Sequence, residues 1–408
     1  MSTVHDPYAA LRIPDFRWLI SGHAALTFAR EAQIVVIGWQ VYAATKDPLA
    51  LGLIGLAEAI PLLGFALYAG HLADRLPRRA LAVAGALGMA LTSVLLLLVT
   101  MMPSLNVWAI YALVFAGGLA RSFVRPAISA LGAEVVPREI YPSAVAWRTS
   151  VWHLAAIAGP AAGGLVYGFA GATAAYASVV VLMIISVGAF IAVRHRVRPA
   201  PPEELPVFES MKGGLRFVWN EPVLLGAMTL DLFSVLFGGA TALLPIFAAM
   251  LHVGPEGLGI LRAAPAIGSI SVGVFFAHRP PLRRAGPALL TCVALFGVFM
   301  IGFALSRTFY LSFAFLLFSG MADGVSVVIR GVLMQTRAPG HLLGRVSSVS
   351  QMFIGASNEL GAFESGVAAR LLGAVPSVVL GGTITLLVVA LTAWRAPQLR
   401  RLRDLHDS

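Results

Sequence analysis

Charge is scarce in this sequence. Of its 408 residues only 12% are Asp, Glu, Lys or Arg, about half the share found in an average soluble protein. So few charges cannot coat a water-facing surface of this size. That excludes a soluble enzyme, a nucleic-acid-binding domain and a disordered scaffold. Lysine is nearly missing: Lys46 and Lys212 are the two present, and neither belongs to a Gly-Lys-Ser/Thr phosphate loop. The chain is therefore not an ATP-driven pump by itself. The single cysteine, Cys292, lies in an apolar run and reads as a small packing residue without an internal disulfide. No His-Glu-x-x-His or Gly-x-Ser-x-Gly pattern occurs, so no enzyme activity, metal or cofactor is expected. Residues 1–16 lack a basic start, a short apolar stretch and a cleavage site; they are expected to be a cytoplasmic leader and not a signal peptide.

Apolar residues fill the space that charge leaves. They make up 58% of the chain, and the mean hydropathy is +0.85. The 41 glycines and 24 prolines agree with a membrane setting, where both are commoner than in soluble helices. A spanning helix needs about 20 mostly apolar residues. Twelve such runs are present, at 17–44, 49–72, 80–102, 106–130, 142–169, 171–193, 222–251, 256–278, 286–306, 308–336, 342–372 and 375–394. The fold class expected is an all-α polytopic membrane protein, since short alternating barrel strands are lacking.

The basic residues orient the spans. Twenty lie at the termini or in even-numbered connections, among them Arg75, Arg78, Arg79, Arg138, Arg194 and Arg284. Two, Lys46 and Arg307, lie in odd-numbered connections. Positive charge collects on the cytoplasmic side, so both termini are expected there, facing anionic lipids. The stretch 194–221 holds Pro199, Pro201, Pro202 and Pro206, which exclude a helix from its first half. Phe208 to Phe217 reads as a short amphipathic helix on the inner membrane surface. The expected domains are thus a bundle at 17–193, a linker at 194–221, a bundle at 222–394 and a basic tail at 395–408.

The two bundles repeat. Gly70-His71-Leu72-Ala73-Asp74-Arg75-Leu76-Pro77-Arg78-Arg79 follows span 2, and a degenerate copy with His278 in place of the aspartate follows span 8 about 204 residues later. Gly118-Leu119-Ala120 and Gly320-Met321-Ala322 form a second pair, 202 residues apart. Two six-helix halves of like orientation are one of the architectures of secondary transporters.

These residues resemble the major facilitator superfamily. Gly70 to Arg79 is similar to its loop signature Gly-x-x-x-Asp-Arg-x-x-Arg-Arg, and the resemblance implies a conformational latch of Gly70, Asp74, Arg75, Arg78 and Arg79. Arg121, with Arg125 one turn away, resembles the superfamily's intramembrane arginine, without the Gln and Gly that normally follow. Gly159-Pro160-Ala161-Ala162-Gly163-Gly164 is similar to the Gly-Pro-x-x-Gly-Gly motif of antiporters and exporters. Gln335 to Arg345 resembles the drug and siderophore exporter branch. The resemblance implies the two-bundle major facilitator fold and alternating access, with the substrate at mid-membrane.

Ionisable residues inside spans each cost about 3 kcal/mol at a helix centre on insertion scales, and are functional candidates for that reason. Asp231 and Asp323 sit in strongly apolar stretches of spans 7 and 10, where a charged carboxylate is poorly solvated. They are expected to couple protons, with neutralisation by Arg262 or Arg121 as the alternative, and Glu31 is the third candidate. Arg30, Glu31, Glu58 and Glu359 are candidate substrate contacts; Glu31 can equally be neutralised by its neighbour Arg30. Arg148, Arg330 and Glu364, closer to span ends, are expected to snorkel outward.

The expected function is proton-coupled export of a small amphiphilic compound, a drug or a siderophore, across the bacterial inner membrane. A lysophospholipid-type flippase or uncoupled facilitator, and a non-transporting receptor or channel, are the alternatives. Expected partners are the amphiphilic substrate, protons and anionic lipids, with no nucleic acid, and the protein is expected to be a monomer.

Overall fold

In the computed structural model, residues 6, 8–194, 207–277, 284–340 and 342–402 are described, apart from the side chains of 66, 67, 70, 71, 73, 74, 207–211 and 277. His278, most of the proline-rich half of the linker and the side chains of Gly70 and Asp74 lie outside that description.

Apolar runs with no water to solvate their amides must satisfy backbone hydrogen bonds internally. The described residues accordingly fold into helices and contain no strand. In chain order these are α1 (Pro14–Thr45), α2 (Pro48–Arg75), α3 (Arg78–Thr100), α4 (Val107–Val135), α5 (Tyr141–Ala192), α6 (Val207–Asn220), α7 (Pro222–Gly238) and α8 (Leu244–Met250). They continue as α9 (Gly254–Ala277), α10 (Ala285–Leu305), α11 (Phe309–Arg337), α12 (Leu343–Leu372), α13 (Ala374–Arg395) and α14 (Pro397–Arg401).

Nine stretches among the described residues are long and apolar enough to cross a membrane by length and composition. One of them, Arg138–Ala192, holds two spans, because Gly171 with φ of +81° breaks α5 into two arms. That left-handed conformation strains any residue with a Cβ. Two further helices, α1 with 32 residues and α12 with 30, have spanning length. Their hydropathy is lowered by Arg30, Glu31, Gln33 and Gln40 in α1 and by Glu359, Glu364 and Arg370 in α12. The architecture is all-α with twelve spans.

Span 7 departs from the uninterrupted run read in the sequence. It consists of α7, a break at Gly239–Ala240, a single 3-10 turn and then α8. Paired glycines and Pro245 in the first turn of α8 explain the interruption, since proline has no N–H to continue the ladder. The carbonyl of Gly239 accepts a hydrogen bond from Ser365 Oγ of α12 at 3.1 Å, so the break carries a satisfied backbone group at membrane depth.

The chain divides into two compact units, Met1–Gln40 with Ile60–Glu204, and Val41–Ala59 with Leu205–Ser408. In the first unit, Phe16 and Leu19 of α1, Ala82 and Ala86 of α3, Val124 and Leu131 of α4, and Met183 and Phe190 of α5 form one apolar core. In the second, Leu224 and Leu230 of α7, Leu289 of α10, Ile329 and Leu333 of α11 and Leu399 of α14 form another. The amphipathic helix α6 belongs to this second unit: its Val218 is buried with Ala338 and Val346, while Trp219 is 70% exposed.

Candidate functional site

Asp231 lies nine residues into α7, about 14 Å along the helix axis and therefore well inside the membrane. Asp323 and Arg330 are both on α11, seven residues apart, which is two turns and one face. Arg330 Nη1 forms a close ion pair with Asp231 Oδ2. Its Nη2 stands 3.9 Å from Asp323 Oδ1. Its Nε donates to the carbonyl of Ser326, one turn back on α11, at 3.3 Å. One guanidinium therefore serves two carboxylates and is held by its own helix.

The two acids differ in setting. Asp231 is buried, at 8% exposure, beside Leu230 in the α7–α10–α11 core. The side chain of Asp323 is 44% exposed, against 11% for that of Asp231. Arg330 is in close contact with Asp231 and at the longer distance of 3.9 Å from Asp323. The sequence reading placed Arg330 at the interface by snorkelling and looked to Arg262 or Arg121 as neutralising groups. The structure corrects this: Arg330 turns inward, to the buried Asp231 of α7 and to Asp323 on its own helix. The spacing Asp323-x-x-Ser326-x-x-x-Arg330 puts all three on one face of α11, but it does not place Asp231, which lies on α7.

In the first unit, Arg30 Nη1 and Glu31 Oε1 pair at 2.7 Å, with both side chains largely buried. Glu31 also sits where the Gly-Pro-x-x-Gly-Gly stretch of α5 crosses α1. A Cβ on Gly159 would lie 2.8 Å from the Glu31 Cβ, and one on Gly163 would lie 2.7 Å from the Ala32 carbonyl oxygen. Pro160 and Gly164 are buried in the same stretch. These glycines let α1 and α5 meet backbone to backbone.

A polar ladder on α1 escaped the sequence reading. Ser93 Oγ of α3 donates to Gln33 Oε1 at 2.9 Å. Gln40 Nε2 donates to Thr100 Oγ1 at 2.9 Å, and the fully buried Tyr176 donates its hydroxyl to Gln40 Oε1 at 2.8 Å. Gln33 and Gln40 are two turns apart on α1, so the α1–α3 contact is polar along one stripe. Neutral amides carry no charge, so the pattern of ionisable residues does not mark them.

Glu58 and Glu359 belong to the second unit, where α2 crosses α12. A Cβ on Gly55 would lie 3.1 Å from the Glu359 carbonyl oxygen, and both glutamates are half-buried. Farther along that crossing Gly52 and Gly366 are in backbone contact, and Arg370 Nη1 pairs with Asp47 Oδ2 at 2.9 Å. On α4, Arg121 is half-buried and Arg125 exposed. Of the expected latch residues, Arg75 is exposed. Arg78 pairs with Glu134 at 2.6 Å, and Arg79 Nη2 donates to the Ile191 carbonyl at 2.5 Å.

Comparison with known proteins agrees with this architecture. Residues 5–406 match the family described as "Transmembrane secretion effector". The multidrug efflux pump Tap of Mycolicibacterium fortuitum is 26% identical over 391 residues, covering 90% of this chain and 92% of that protein. The enterobactin exporter EntS of Citrobacter koseri is 27% identical over 375 residues, covering 88% and 86%. Among solved structures, a bacterial homologue of the human lysosomal transporter Spinster, inward-facing and occupied, superposes with a TM-score of 0.75 at 13% identity, over 98% of this chain and 99% of that one. A peptide transporter of the POT family gives 0.74 at 14% identity, over 95% of each. The family match runs the length of the twelve spans, and the chain belongs to the transmembrane secretion effector family of the major facilitator superfamily, a family of transporters and not of enzymes.

Proposed function

We propose that the protein is a proton-coupled exporter that moves a small amphiphilic compound out across the bacterial inner membrane, with both termini on the cytoplasmic side. The observation that carries this reading is the guanidinium of Arg330 shared between Asp231 and Asp323. Two carboxylates and one guanidinium leave one surplus negative charge at membrane depth. A proton on either acid removes it, and an unbalanced charge there is costly. Asp323 is the more loosely paired acid and takes the proton while Arg330 holds Asp231. A proton on Asp231 instead frees Arg330 to turn toward Asp323. These are two arrangements of one side chain, and the helix that carries Asp231 is broken eight residues beyond it.

Outward direction and an amphiphilic substrate of the drug or siderophore kind are supported by the relatives, one named as a multidrug efflux pump and one as an enterobactin exporter. Arg30, Glu31, Glu58 and Glu359 are the candidate substrate contacts. Arg30 and Glu31 neutralise each other, so a substrate meeting them encounters a dipole and no net charge. Gly70, Asp74, Arg75, Arg78 and Arg79 are the cytoplasmic latch that the resemblance implies.

Reconstituted protein tests the reading with ethidium and enterobactin as probes. Accumulation that needs a proton gradient and collapses with a protonophore supports antiport. Downhill flux indifferent to the gradient identifies a facilitator, and binding without flux a receptor. Either of these overturns the proposal.

A further inference from the structure

A cleft of about 460 Å³ opens in the first unit where three helix ends meet. Its walls are Trp18 near the start of α1, Arg79 in the first turn of α3, and Ile191, Ala192, Val193 and Arg194 at the end of α5. All three ends lie on the side of the membrane where the basic residues collect. The cleft belongs to the first unit and the Asp231–Arg330–Asp323 cluster to the second; of the cleft's residues, Arg79 is also one of the latch residues that the family resemblance implies.

Two arginines give the cleft its chemistry. Arg79 is fixed: Nη2 donates to the Ile191 carbonyl at 2.5 Å, and Nε is sealed from solvent without a hydrogen-bond partner. Arg194 is anchored through its backbone, whose N–H donates to Asp15 Oδ1 at 2.9 Å, while its side chain is exposed. Neighbouring Arg78 has its charge answered by Glu134 at 2.6 Å. Among the described residues no carboxylate pairs with Arg79 or with the Arg194 side chain. Asp15 accepts from the Arg194 backbone N–H and forms no ion pair with either guanidinium. The apolar part of the wall is chiefly Trp18 and Ile191, each about half exposed, at 50% and 51%.

A phosphate flanked by two guanidiniums forms charge-assisted hydrogen bonds. A tryptophan at a span end sits at headgroup level, and basic pockets between helices on the inner side hold anionic headgroups. We propose that this cleft binds the phosphate headgroup of an anionic phospholipid, with Arg79 and Arg194 on the phosphate and Trp18 and Ile191 against the glycerol and upper acyl chain. Bound there, the lipid ties together the ends of α1, α3 and α5. The apolar wall favours a lipid over free phosphate, which has nothing to lay against Trp18.

The test is thermal unfolding of the purified full-length protein in a neutral detergent, titrated separately with phosphatidylglycerol, phosphatidylcholine and sodium phosphate. Native mass spectrometry of the same samples counts retained lipid. Phosphatidylglycerol should raise the unfolding temperature and persist as a bound adduct, whereas phosphatidylcholine and sodium phosphate should do neither. Arg79→Gln and Arg194→Gln should each weaken the apparent affinity for phosphatidylglycerol about tenfold, a loss of about 1.4 kcal/mol. Arg216→Gln, an exposed basic residue on α6, should leave it unchanged. Should Arg79→Gln fail to fold, Arg194→Gln decides, because its fold contact is made by the backbone. Equal stabilisation by phosphatidylcholine, undiminished phosphatidylglycerol binding in Arg194→Gln, or an equal effect of sodium phosphate would each overturn the lipid site.

Discussion

A guanidinium shared by two carboxylates cannot be removed without stranding both. Arg330→Gln should therefore be strongly destabilised, by about 3 kcal/mol, the loss typical when one partner of a buried pair is deleted. Asp231→Asn should lose less, because Arg330 retains Asp323 at 3.9 Å. The double variant Asp231→Asn/Arg330→Gln should recover part of the stability missing in Arg330→Gln, and thermal unfolding in detergent reads all three. If Arg330→Gln unfolds at the wild-type temperature, the ion cluster is not a structural fact of the protein. The carboxylates themselves were legible in the sequence, since an acid in an apolar run is conspicuous. Arg330 was not. Its distance from the end of its span suggested an arginine reaching for water, and only the position of Asp231 on a separate helix shows what it reaches instead. The same limit hid the pair of Tyr176 and Gln40, which are 136 residues apart and carry no charge.

At the level of elements, the Gly-Pro-x-x-Gly-Gly stretch was legible as a place of close helix approach, but the approaching helix was not. The structure supplies α1, with the Ala32 backbone against Gly163. Gly163→Ala should weaken this crossing, because the new methyl would meet a carbonyl oxygen at 2.7 Å and backbone cannot yield as a side chain can. Gly188→Ala on the same helix has open space around it and serves as the control. A lower unfolding temperature is expected for Gly163→Ala alone; equal behaviour of the two variants would contradict the packing assigned to the motif. The interruption of span 7 followed the reverse course. Gly238, Gly239 and Pro245 are visible in the sequence, yet hydropathy runs straight through them. The break is tolerated because Ser365 on α12 takes up the freed Gly239 carbonyl, and no local pattern announces a partner 126 residues away.

For the whole molecule, apolar run lengths and internal repeats carried most of the information, because a bilayer imposes a fixed helix length and leaves few alternatives. The grouping of Val41–Ala59 with Leu205–Ser408 was not legible. It rests on Gly52 meeting Gly366 and on Asp47 pairing with Arg370, contacts that periodicity does not encode. Orientation has its own check. With Cys292 replaced by serine, a cysteine at Lys46 or Arg307 should react with an impermeant thiol reagent added outside intact cells, while one at Lys212 should not; outside labelling at 212 would invert the topology. The central claim, that Asp231 and Asp323 sharing Arg330 couple transport to protons, is tested most directly by comparing two modes of flux in proteoliposomes. Exchange of labelled for unlabelled enterobactin or ethidium needs alternating access but no gradient, whereas uphill accumulation needs coupling. Asp231→Asn and Asp323→Asn are expected to keep exchange and lose accumulation. Uphill accumulation at the wild-type rate in both variants would contradict the claim.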